Sequence, residues 1–197
     1  MAHTQINDFK SEANEYMQLL TRILDDDLLE VTYKLANDLN LAWKNRKRVY
    51  ICGNGGSAAN ALHIANDLHY GIGKLKAGKS IPGISVEALP GNIGIITCLA
   101  NDEGYEKIYS NQIEVKGEKD DILIVLSGSG NSMNVINAIK VAKEKEMTTY
   151  AVTAFDGGKC KELANTTIHI KANDMQIAED AQLIVGHLCM KWLNKLK

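Results

Sequence analysis

The chain has 197 residues, of which 45% are hydrophobic and 23% charged, and its formal net charge is −2. That length suits one domain with a continuous apolar core, and the balance is that of an ordinary globular protein. Lys and Arg concentrate nowhere, which argues against nucleic acid and against a membrane surface as partners, because both require a cationic footprint.

Residues 4–44 read as helix, with Phe9, Met17, Leu20, Ile23, Leu28, Val31 and Leu35 recurring at three- and four-residue steps. The acidic cluster Asp25, Asp26 and Asp27 marks a bend or the cap of a second helix. From Arg48 the pattern changes to short β-rich runs: RVYICG, ISVEAL, DILIVLS, TTYAVTAF and TTIHIKA. Helical stretches lie between them at 57–69, 92–100, 132–145 and 158–164, and a long amphipathic helix closes the chain at 175–197. Such alternation implies parallel strands with right-handed crossovers and helices on both faces. The expected fold is therefore α/β, a three-layer αβα doubly wound domain with a five-stranded parallel sheet and an N-terminal helical extension. One domain over 1–197 is expected, with helices in 1–46 and the α/β core in 47–197.

Cys52, Cys98, Cys160 and Cys189 are scattered without a C-x-x-C pair, which fits neither a zinc knuckle nor a disulfide framework and suits a reducing cytoplasm. The first residues are polar and charged where a leader would be apolar, and no run is long enough to span a bilayer. A cytoplasmic location is expected.

In doubly wound sheets, ligands bind beyond the carboxyl ends of the strands. After RVYICG comes Gly53-Asn54-Gly55-Gly56-Ser57 and then a helical run. Its glycines let the backbone turn tightly and approach a ligand, and Ser57 is placed to cap a helix whose free N–H groups favour phosphate. The spacing matches neither a P-loop nor the dinucleotide G-x-G-x-x-G, so no nucleotide cofactor is expected. After DILIVLS comes Ser127-Gly128-Ser129-Gly130-Asn131-Ser132, a neutral donor nest suited to phosphate oxygens. Each loop alone reads equally well as a tight turn; together they favour anion binding.

ICGNGGSAANALHIANDL and DILIVLSGSGNSMNVINAIKVAKEKEM resemble the signature segments of sugar isomerase (SIS) domains. CLANDEGY, DGGKCKELA and EDAQLIVGHLCMKWL are similar to segments of the phosphoheptose isomerase group. The resemblance implies that Gly53, Asn54, Ser57, Ser127, Ser129 and Ser132 hold a sugar phosphate and that Asp102 contacts sugar hydroxyls. It implies catalytic roles for Asp67, Glu179 and His187. It also implies a zinc ion shared among His63, Asp67, Glu179 and His187, and a homotetramer. His63 and Asp67 lie four apart, on one helical face. Asp67 stands where the family carries Glu, Glu179 where it carries Gln, and Gly128 where it carries Thr. Gly71 and Ile177 stand where it carries Arg, and these departures point to a variant heptose phosphate. Either Asp67 or Glu179 can serve as the base, with His187 at the oxygens. Glu179 and His187 lie about 12 Å apart along a helix, so they meet one small ligand only by reaching together or across neighbouring subunits; Asp180 is a rival for Glu179. The competing reading is a non-catalytic SIS tetramer binding a sugar phosphate or a protein, like the bacterial replication initiator-associating protein. Four titratable positions at the expected site favour the enzyme.

Overall fold

A computed structural model describes residues 2–74 and 80–196. Five strands form its sheet: β1 (Arg48–Gly53), β2 (Ser85–Ala88), β3 (Ile122–Ser127), β4 (Thr148–Thr153) and β5 (Thr166–His169). Their order is β2-β1-β3-β4-β5, and every pairing is parallel. All five runs read from the sequence are strands: β1, β3 and β4 are buried on both faces and read as near-continuous apolar runs, while the edge strands β2 and β5 are partly exposed and carry Ser, Glu, Thr and His among their apolar residues. The direction of winding reverses between β1 and β3. Gly53 lies opposite Leu126 in that pairing, so the two glycine- and serine-rich loops leave the sheet side by side, at the crevice where such folds bind ligands.

Eight α-helices accompany the sheet among the described residues: α1 (Ala2–Ile23), α2 (Asp26–Lys44), α3 (Gly56–His69), α4 (Ile93–Asp102), α5 (Ser110–Lys116), α6 (Met133–Glu144), α7 (Gly158–Leu163) and α8 (Met175–Lys195). Period-two alternation sorts the strand residues between two cores. Val49, Ile51, Ile124 and Val152 pack with Leu35, Leu39, Ile64, Leu68, Val185 and Cys189 of α2, α3 and α8. Tyr50, Cys52, Val125 and Ala151 pack with Ile113, Ile136, Ile139 and Cys160 of α5, α6 and α7. These are the three layers expected.

The acidic cluster caps a second helix. Asp25 accepts from the Leu28 N–H at 2.9 Å and ends the helical run, and Lys171 donates to Asp25 and Asp27 at 2.8 and 2.9 Å. The Lys171 hydrogen bond, with the Leu28 N–H, holds the Asp25 carboxyl below its usual range. The apolar stripe divides: Ile23, Leu28 and Leu35 are buried, whereas Phe9 and Met17 are 68% and 61% exposed and stand largely clear of the core. Residues 110–116 form a further helix, absent from the expected elements; at two turns it is too short for a clear periodic signal. The expected last residue of α8, Lys197, lies outside the described residues. All four cysteines are free thiols, and among the described residues no helix is long and apolar enough to cross a membrane.

Candidate active site

Loop one is built by close backbone approach. A Cβ on Gly53 would come within 2.8 Å of both the Leu126 carbonyl oxygen and the Ser57 Cβ, so only glycine lets β1 hand over to α3 beside β3. Gly55, at φ +55°, turns the chain and occupies the N-cap of α3. The expected capping role of Ser57 is thereby corrected: the positive φ starts the helix two residues earlier, and Ser57 is buried in its first turn. Tyr109 Oη donates to the Gly53 carbonyl beneath the loop. Burial pushes that phenol's ionisation up, which keeps it neutral and able to donate.

Loop two is pre-folded by its own serines. Ser127 Oγ accepts from the Gly130 N–H at 3.1 Å, and Ser129 Oγ accepts from the Asn131 N–H at 3.3 Å. Gly130 is left-handed at φ +65°, with the Gly157 carbonyl oxygen 2.0 Å from where a Cβ would stand. Ser132 is the N-cap of α6, yet its hydroxyl makes no capping bond and remains available to a ligand. Both loops therefore present hydroxyls and main-chain N–H groups at helix starts, donors suited to an anion. Gly128 faces Met175, whose Sδ lies 2.6 Å from a built Cβ, so a threonine there would displace that methionine.

Farther along α3, three titratable groups converge. His63 Nε2 and His187 Nε2 are 2.9 Å apart, and each is 3.5 Å from Asp67 Oδ2. The ligand atoms of these three residues all lie within 4.8 Å of one another. The meeting depends on Gly186: a Cβ there would strike the Ile64 side chain at 2.6 Å, so α8 packs against α3 closely at that turn. His63 and His187 are the sequence neighbours of Ile64 and Gly186, and they close over the same crossing. Asn60 ties the helices further along, donating to the Glu179 carbonyl at 2.9 Å and to Gln182 Oε1 at 3.1 Å.

Residues 12–154 match the model of the SIS domain family. The chain is 39% identical over 155 residues to the phosphoheptose isomerase of Aliarcobacter butzleri, covering 78% of this chain and 79% of that one. It is 33% identical over 185 residues to that of Burkholderia pseudomallei, covering 94% and 90%. The chain belongs to the phosphoheptose isomerase family. Among solved structures, the phosphoheptose isomerase of Neisseria gonorrhoeae superposes with a TM-score of 0.83 at 26% identity, covering 99% of this chain and all of that one. The phosphoheptose isomerase of Francisella tularensis shares the fold, with a TM-score of 0.88 at 23% identity over 97% and 98% of the two chains.

In this member of the phosphoheptose isomerase family, two of the expected site residues stand apart from the cluster. The Glu179 carboxylate rests on loop one: a Cβ on Gly56 would lie 2.4–2.5 Å from its carboxylate atoms. Asp102 is exposed at the end of α4, where it accepts from Cys98 Sγ and Asn101 Nδ2, and it makes no bond to either loop among the described residues. Three residues at the site carry no expectation from the sequence. Asn134 pairs with Asn54 through both amides, Tyr105 donates to Asn54, and Tyr109 supports Gly53. The one signal that could have found Tyr105 is its place in CLANDEGY, a segment that already carried the family resemblance.

Proposed function

We propose that the protein is an aldose–ketose isomerase acting on a phosphorylated heptose, converting sedoheptulose 7-phosphate to D-glycero-D-manno-heptose 7-phosphate or a close variant for surface-polysaccharide heptose. The observation that carries this reading is the His63–Asp67–His187 cluster and its distance from the loops. Seven residues of α3 separate Gly56 from His63, about 10 Å of helix rise, and a seven-carbon sugar with a terminal phosphate spans a comparable length. With the phosphate on Gly53, Asn54, Ser57, Ser127, Ser129 and Ser132, the carbonyl end reaches the cluster.

Isomerisation moves a proton between C1 and C2 through a cis-enediol. Asp67 takes the proton from one carbon and, after exchange with solvent, delivers a proton to the other, while His187 shifts a proton between the two oxygens. Such acid–base help contributes about 10²–10⁴ in rate. Both histidines face Asp67 Oδ2, which leaves Oδ1 for the carbon-bound proton. As an alternative to proton transfer by His187, the same two imidazole nitrogens and carboxylate oxygen make a donor set that suits zinc, and His63, Asp67 and His187 would be its ligands. A bound zinc ion would supply polarisation of the substrate carbonyl. Asp102, standing away from the cluster and both loops in its own chain, joins the site from a neighbouring subunit, whereas the Glu179 carboxylate borders loop one of its own chain. The exposed apolar faces of α1 and α4, with Ile93 71% exposed, support assembly into a homotetramer. The remaining proposals are one SIS domain over 1–197, with helices in 1–46 and the α/β core in 47–197, and a cytoplasmic location. A non-catalytic binding tetramer has no use for the cluster.

The test is proton NMR of sedoheptulose 7-phosphate incubated with the protein in D₂O. Turnover with deuterium at C2 of the aldose product is expected. Asp67→Asn and His187→Ala should each lose about 10²–10⁴ in rate while still binding the sugar phosphate. Binding without turnover by the unsubstituted protein would overturn the reading. An active Asp67→Asn beside an inactive Glu179→Gln would move the base to Glu179.

A further inference from the structure

Asn54 sits between the two loops, and its amide is committed in a way that limits what it can offer. The chain of constraint begins at Val135, whose backbone N–H donates to Asn134 Oδ1 at 2.9 Å. A main-chain N–H can only donate, so the oxygen end of the Asn134 amide is identified by the backbone. Asn134 Nδ2 then faces Asn54 and donates to its Oδ1 at 2.8 Å, while Asn54 Nδ2 donates back to Asn134 Oδ1 at 3.0 Å. Tyr105 Oη supplies a second donor to Asn54 Oδ1 at 2.9 Å. A carbonyl oxygen has two lone pairs and an amide nitrogen two N–H bonds. The acceptor of Asn54 is therefore full, and one N–H remains.

We infer that Asn134 and Tyr105 are positioning residues that lock the Asn54 amide, so that Asn54 meets its ligand with a single N–H donor and selects an oxygen that accepts. Asn134 is 2% exposed and Asn54 half-buried, which makes the reciprocal pair costly to open, since each buried polar atom would lose its partner. Tyr105 is exposed and reaches Asn54 from the segment that follows α4. The orientation thus depends on β1, α6 and the post-α4 segment together. A phosphate oxygen or a carbonyl oxygen satisfies the remaining N–H; a sugar hydroxyl does so only as an acceptor. The identity of that ligand rests on the isomerase reading above, whereas the lock itself does not.

The experiment uses ¹⁵N-labelled full-length protein, with the Asn54 side-chain resonances assigned by their loss in Asn54→Ala. In the free protein, one Asn54 Nδ2 proton should be protected from solvent exchange and the other not. Added sedoheptulose 7-phosphate should shift and protect the second proton. Tyr105→Phe removes one hydroxyl from an exposed ring and should fold normally; it should raise KM by about threefold to tenfold, the worth of one hydrogen bond, with kcat unchanged. Asn134→Asp puts a carboxylate oxygen against Asn54 Oδ1 and should weaken binding more than Tyr105→Phe does. In an Asn54→Ala background, Tyr105→Phe should weaken binding no further, because Tyr105 acts through Asn54. Equal exchange of both Asn54 protons in the free protein, or an undiminished Tyr105→Phe effect without Asn54, would overturn the inference. Unequal exchange without sugar-phosphate binding would uphold the lock and refute the isomerase reading.

Discussion

Replacing His63 by alanine removes one nitrogen from a cluster whose ligand atoms already stand near the separations a tetrahedral zinc ion imposes. With zinc–ligand distances of about 2.0–2.1 Å, two ligand atoms on a tetrahedron lie about 3.3 Å apart. The observed separations are 2.9, 3.5 and 3.5 Å, so occupancy requires shifts of only about 0.4 Å or less. With free zinc at about 100 times its dissociation constant, binding adds about 2.7 kcal/mol to stability. For a chain of this size, that raises Tm by about 5–10 °C. Loss of a supporting group near a metal already costs about 10- to 100-fold in affinity, and loss of a ligand costs at least as much. A 100-fold loss at the same zinc concentration leaves about 0.4 kcal/mol, or about 1–2 °C. Calorimetric scans of the protein and of His63→Ala, each with chelator and with zinc, measure the difference. An equal zinc shift in both proteins, or none in the unsubstituted one, would refute the assignment of the ligands.

Three further predictions concern the amino edge of the sheet, loop two and the packing of α1 on α8. Asp121 is buried and accepts from the Arg48 and Glu118 N–H groups at 2.8 and 3.1 Å. Asp121→Ala removes the acceptor of both donors and should cost about 1–3 kcal/mol in urea unfolding; a loss below about 0.5 kcal/mol would show that water replaces the carboxylate. Gly130→Ala forces a Cβ onto a left-handed residue and into the Gly157 carbonyl. It should cost at least about 1–2 kcal/mol and abolish sugar-phosphate binding, and intact binding would dismiss loop two as the phosphate site. Tyr16 donates to Asp180 Oδ2 at 2.7 Å, and burial, with this bond, pushes its phenol from 10.0 up to about 12. The fold favours the neutral phenol, so the bond's contribution is whole below pH 10 and lost as pH rises through 12. The stability gap between the protein and Tyr16→Phe should close across that window; a gap independent of pH would refute the linkage.

The features legible in the sequence are those whose cause lies within a few adjacent residues. Apolar runs such as ILIVLS are strands because both faces of a central parallel strand are buried. The two loops were legible because glycine and serine between a strand and a helix declare a tight turn rich in donors. The start of α3 is not legible in this way: Ser57 has the residue type of a helix cap, whereas Gly55, at positive φ, holds that place and begins the helix earlier.

His63, Asp67, Glu179 and His187 were legible as residue types, but their grouping was not. His63 and His187 are 124 positions apart, and what joins them is the close crossing of α3 and α8 that Gly186 permits. α3 and α8 pack side by side over several turns, from Gly56 against Glu179 to Asp67 against His187. About 12 Å of rise along α8 therefore sets Glu179 over Gly56 at one end of the contact, while Asp67, one turn beyond His63, shares the other end with His187. The Asn54–Asn134 pair, 80 positions apart, has the same origin, since it forms only because β1 and β3 are neighbours at the point where the sheet reverses. Composition, strand pattern and loop chemistry belong to short stretches of chain and were determined there. Which side chains share a proton, a metal or a hydrogen bond depends on distances between elements remote in the chain, and only the packed structure decides those.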